Sequence, residues 1–170
     1  MAFAIGDKVV HPKIGAGTVT GTGDRELIGG FKSYYVIEIP AWDSTVYVPA
    51  QTADELGLRP VSTPEVIANV LDMLADRPHR LPGDAKERQE QVEVKLGTGR
   101  PLLVAEVLRD LAWHKSAARL NQRDEMLMAR GRKLLASEIA VVLEIGVEEA
   151  YGVMDGAVQV ALAQGVPAEG

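Results

Sequence analysis

Three histidines, His11, His79 and His114, are the side chains whose type best suits metal binding or proton transfer near neutral pH. Their spacing supports neither task. They fall in three different predicted elements, and none has a partner at the short intervals by which metal ligands recur. There is no cysteine, which removes disulfides, thiolate nucleophiles and thiolate zinc ligation. The glycine-rich run GAGTVTGTG over residues 15–23 suggests a phosphate cradle, but neither GK[ST] nor a helix follows it. GxSxG and HExxH are absent, and so is any pair of carboxylates with an obvious pocket. The chemistry left open is binding. The expectation is a non-catalytic protein that needs no metal and no cofactor.

Charge and aromatic content say what such a protein could bind. The net charge of −6 opposes non-specific coating of nucleic acid. Residues 109–133, however, carry seven basic and three acidic side chains, a local +4. Either they form a solvated helix face or they face phosphate. Residues 134–170 carry six acids and no lysine or arginine. Tyr34, Tyr35, Trp42 and Tyr47 could line a cage for a peptide or small ligand. Strand alternation sends Tyr34 and Tyr35 to opposite faces, so at most one of them joins it.

The elements that must position these groups divide at about residue 60. GDKVVHPKIGAGTVTG, residues 6–21, reads as two short strands, 7–11 and 15–22, joined at Pro12, which cannot donate to a ladder. A glycine-punctuated loop then carries Asp24, Arg25, Glu26 and Leu27. KSYYVIEI, residues 32–39, is β-branched and aromatic, which predicts a strand. Pro40–Asp43 makes a hairpin tip, and STVYV, residues 44–48, alternates between Thr45/Tyr47 and Val46/Val48. This predicts an SH3-like or Tudor-like antiparallel β-barrel over residues 1–58, with at least one edge strand. Residues 51–60 read as a linker that partly packs.

From residue 62 to about 165 the pattern is an all-α domain of about five helices. Thr63-Pro64-Glu65 is a helix start, with Val66, Ile67, Val70, Leu71 and Leu74 on one stripe. Asp84 with Glu87 starts a second helix, 85–96, whose first two turns are polar and are expected to face solvent or a partner. Pro101 opens a third, to about 118. A fourth begins near Asn121 and could reach Ile145, with Gly131 inside. The last spans about 147–163. The segregated α+β class follows. The opening residues MAFAIGDK lack the basic and apolar regions of a signal peptide, and no apolar run approaches the roughly 20 residues of a membrane span. A cytoplasmic protein without membrane contact is expected.

GDKVVHPKIGAGTVTG, then YYVIEIP and STVYVPAQTADELGLRPV, resembles the CarD (CdnL) family of bacterial transcription regulators. Their N-terminal module is shared with the RNA-polymerase-interacting domain of transcription-repair coupling factors. The resemblance continues through VAEVLRDLAWH and ARGRKLLASEIA and so covers nearly the whole chain. It implies a barrel that binds the RNA polymerase β subunit. It also implies a helical domain that meets promoter DNA at the upstream edge of the melted region and stabilises the open complex. A monomer is expected.

Carried over by position, the resemblance places Arg25 and Leu27 in the polymerase-contacting loop. Tyr47 stands where several members have arginine. Ala85 stands where the family has a tryptophan that wedges into the minor groove, work that alanine cannot do. Lys86 and Arg88 remain beside it, interrupted by Glu87 and Glu90. Arg130 and Arg132 match basic positions that could meet the DNA backbone. Two rivals stand beside this reading. One is a polymerase-bound protein–protein adaptor without a DNA wedge, favoured by the acids at Glu87, Glu90 and 134–170. The other is a Tudor-like peptide or ligand module using the aromatic cage.

Overall fold

The computed structural model describes residues 2–24, 30, 33–165 and 167. Among them, five antiparallel strands are followed by five helices, so the fold is α+β with its two kinds of element segregated. The strands are β1 (Lys8–His11), β2 (Gly15–Asp24), β3 (Ser33–Ile39), β4 (Ser44–Pro49) and β5 (Arg59–Pro60). They form one sheet in the order β4-β3-β2-β1-β5. Pro12 lies in the β1–β2 turn, outside the ladder. The β2–β3 register shifts between Val19 and Gly21, which bends β2. Val9, Val19, Ile37, Ile39 and Val48 point to one core.

Residues 51–60 do more than link. Ala53 and Leu58 are buried in that same core. The chain then continues into β5, which pairs with β1 through Val9–Pro60 and Val10–Arg59. The curl stops short of closure, because β4 and β5 pair only with β3 and β1, respectively. The expected barrel is therefore open in its hydrogen bonding, and the outer edge of β4 is free among the described residues.

The helices are α1 (Pro64–Ala75), α2 (Ala85–Gly97), α3 (Pro101–Ala117), α4 (Gln122–Leu143) and α5 (Val147–Leu162). Their starts follow local chemistry. Thr63 accepts a hydrogen bond from the Val66 N–H, and Asp84 accepts one from Glu87. Asn121 and Asp124 close a reciprocal capping box. On α1, Ile67, Val70 and Leu74 are buried, with Val66 and Leu71 packed at their flanks. Helix α3 is central: from Val104 to Ala112 only Glu106 is not buried. Among the described residues no helix is long and apolar enough to cross a membrane.

One face of α4 leaves this second core and seats on the sheet. Ser137 Oγ accepts the Ala16 N–H at 3.0 Å. Glu138, buried, accepts both terminal nitrogens of Arg59 at 2.8 and 3.0 Å. It also accepts the Ser62 N–H at 2.9 Å and the Ser62 hydroxyl at 2.8 Å. Lys8 Nζ donates to the Val141 carbonyl and to Glu144 at 3.3 and 3.2 Å. Lys133 Nζ lies 4.3 Å from the ring centroid of Trp42. Gly15, at φ +108°, permits the approach, since a Cβ there would sit 2.7 Å from Ser137 Oγ.

Candidate functional site

On the sheet, β4 presents its exposed residues outward as the alternation predicts. Val48 is buried while Thr45 and Tyr47 are exposed. The Tyr47 ring packs on Tyr34, with centroids 5.5 Å apart and planes at 59°. Of these two rings Tyr47 is exposed beside the free β4 edge, and Tyr34 is buried behind it on β3. Arg25 and Leu27 lie outside the described residues.

The aromatic cage does not assemble. Tyr35 points into the core, edge-on to Phe3 at 5.6 Å, and its hydroxyl accepts the Phe3 N–H at 3.2 Å. Trp42 belongs to the α4 contact, beneath Lys133. Only Tyr34 and Tyr47 of the four rings meet, so the peptide-cage rival loses its pocket.

On the helical side, the candidate DNA residues have different fates. Ala85 and Lys86 occupy the first turn of α2, Ala85 half-buried and Lys86 exposed. Arg88 corrects the expectation that this polar stretch faces outward, because only 4% of it is exposed. Its Nε and Nη2 grip the Asp124 carboxylate at 3.1 and 2.6 Å. Its Nη1 donates to the carbonyls of Pro82 and Gly83. Fully committed inside, this guanidinium is not offered to phosphate. The bonds that Arg88 donates to Asp124, with the carboxylates of Asp124 and Asp84 nearby, outweigh burial and hold the Arg88 pKa above its ordinary value. Burial alone would raise the Asp124 carboxyl. Hydrogen bonds from Arg88, the Asn121 N–H and Gln89, with the Arg88 charge, overcome that and hold it low.

Arg132 is half-buried, paired with Asp155 at 2.8 Å and stacked over Tyr151 at 5.1 Å. Arg130 is exposed. It lines a 720 Å3 cleft at the sheet–helix junction with Lys13, Glu55 and Arg59. Lys86 and Arg130 do not converge. Lys86 lies at the end of α2 where Gln89 meets Asn121, and Arg130 at the end where Gly131 faces Leu96.

Of the seven basic side chains of residues 109–133, three more besides Arg132 are paired with acids, two of them with acids of the same segment. Arg109 is buried against Asp110, Arg123 pairs with Glu93, and Lys115 with Glu125. The acidic stretch after residue 134 is not all surface either, since Glu138 is buried; Glu144 stays exposed while bonding Lys8. Sequence reasoning missed Lys13 and Glu138. A lone acid within LASEIAVVL was the available signal, because a carboxylate in an apolar run requires a buried partner.

His79 has neighbours that the sequence did not suggest. Donor atoms of His79, Glu106 and Asp110 lie within 4.8 Å of one another. Cations already serve these acids: Lys95 bonds Glu106 at 2.7 Å, and Arg109 bonds Asp110 at 2.9 Å. A metal ion would have to displace them or bear their repulsion.

The two halves of this layout are each matched by a family model. Residues 3–62 match the CarD-like/TRCF RID domain, and residues 69–155 match the CarD C-terminal domain. The chain belongs to the CarD family. It is 28% identical over 142 residues to the candidate transcription factor YdeB of Bacillus subtilis, across 82% of this chain and 92% of YdeB. Membership in the CarD family brings a transcription-related, polymerase-interacting role and not an enzymatic one.

Proposed function

We propose that this CarD-family protein docks on the RNA polymerase β subunit through its sheet and holds its helical domain against promoter DNA upstream of the bubble. What supports this most is the union, on one chain and in order, of the polymerase-interacting module with the CarD C-terminal module. The free β4 edge adds a physical means of attachment. A partner strand can extend the sheet there while Tyr47, backed by Tyr34, packs beside it. Arg25 and Leu27 complete the contact in this reading.

The DNA contact need not be strong. Once the sheet is anchored, the helical domain experiences a high effective concentration of promoter. Lys86 and Arg130 are its exposed cations at the proposed positions. Protein bound to the open complex and not to the closed one lengthens the open state by mass action. Domain limits near 1–58 and 62–165 belong to the same proposal, as does action as a monomer.

The test is capture of the polymerase β subunit by the intact protein. Wild type should retain it, and Arg25→Glu should weaken capture about tenfold or more, because it reverses a charge at the contact. Tyr47→Ala should weaken it less. A wild-type protein that fails to capture the subunit would overturn the reading.

The adaptor reading keeps some support. Ala85 replaces the wedge, Arg88 is turned inward, and Glu87 and Glu90 are exposed on the same turns of α2. Polymerase binding with no change in promoter protection would select it.

A further inference from the structure

The seam between α4 and the sheet is more than packing. Lys133, Ser137, Glu138 and Val141 on α4, with Glu144 at its C-cap, all meet β1, β2, β5 or the turn bearing Trp42. Glu138 is its centre. The residue is 3% exposed and its side chain collects four hydrogen bonds, two from Arg59 in β5 and two from Ser62 just before α1. Arg59 also donates to the Gly99 carbonyl between α2 and α3 at 2.9 Å. The connecting segment is thus clamped from both sides.

We propose that Glu138 is a positioning residue: through Arg59 and Ser62 it fixes the angle at which the helical domain leaves the sheet. The inference rests on the reading that the sheet docks on polymerase and the helices reach DNA. A flexible link would spread the helical domain over many orientations, and the effective concentration at the promoter would fall. A buried carboxylate with directional partners suits this task better than an apolar patch. Its bonds hold only at one angle, and leaving it unpaired is costly.

The test uses the full chain. Absence of cysteine lets spin labels be placed at chosen sites, one on the sheet at Thr45 and one on α5 at Val153, both exposed. Glu138→Ala should broaden the distance distribution between them. It should leave β-subunit capture within about twofold and shorten open-complex lifetime at least about fivefold, the lower range of coupling between sites. Arg59→Gln, altered on the connecting segment, should do the same and guards against misfolding of α4. Bridging Lys8→Cys to Glu144→Cys with a short bis-maleimide, in the Glu138→Ala chain, should restore the lifetime.

An unchanged distance distribution in both variants would overturn the proposal. So would an unchanged lifetime, or one that the bridge fails to restore. Failure of the wild-type protein to bind polymerase would defeat the functional reading instead, and the distance distribution would still decide whether Glu138 sets the angle.

Discussion

Arg88 shows how one side chain can be misassigned by its type. Its pair with Asp124 is buried on both sides, at 5% and 0% side-chain exposure. Arg88→Met should therefore cost about 3–5 kcal/mol in urea denaturation, because it strands a carboxylate in the core. The low pKa of Asp124 has a definite sign. Its stabilisation is present above the ordinary carboxylate value of 3.8 and is lost as pH falls through the lower folded value. His11 acts in the same direction nearer neutrality. Burial, then the charge of Lys13, lowers its imidazole below 6.5. Stability should begin to fall as pH drops below about 6.5 and continue down through the folded value. His11→Gln should make that part of the stability–pH curve shallower, leaving the share of His114, whose imidazole burial also lowers, and should not change the contribution of Asp124 at lower pH.

At the scale of elements, the glycines separate close approach from mere tolerance. A Cβ on Gly17 of β2 would run into the Glu38 carbonyl on β3, and a backbone carbonyl in a ladder cannot step aside. Gly17→Ala should open that ladder and cost at least about 2 kcal/mol by chemical denaturation. Gly152 on α5 has nothing within 4 Å of such an atom. Gly152→Ala should instead stabilise by about 0.5–1 kcal/mol, through helix propensity alone. Helix α2 belongs to the same scale. If it meets the minor groove, Ala85→Trp should lengthen open-complex lifetime, because an aromatic wedge props an unstacked step. No gain from the tryptophan would remove α2 from the groove.

For the whole molecule, the seam predicts cooperativity. Two separate apolar cores are joined through α4, which contributes to the helical one and clamps the sheet. Unfolding of the sheet, followed by Trp42 fluorescence in a Trp113→Phe background, should coincide with loss of helical ellipticity. Glu138→Ala should separate the two transitions. Coincident curves in that variant would mean that the remaining seam contacts suffice.

Periodic and local features were legible in the residues themselves. The 3.6-residue stripe of α1, the caps at Thr63 and Asp84, the alternation of β4 and the turn at Pro12 each depend on neighbours a few positions away. So did the family resemblance, because its motifs are contiguous. The addition of β5 to the edge beside β1, the inward turn of Arg88, the dispersal of four aromatic rings and the burial of Glu138 were decided only by tertiary structure. Each depends on a partner tens of residues distant: Arg59 to Glu138 spans 79 positions, and Arg88 to Asp124 spans 36. Charge and ring type are properties of a residue, but whether they meet water, a core or another chain depends on what the fold places opposite them.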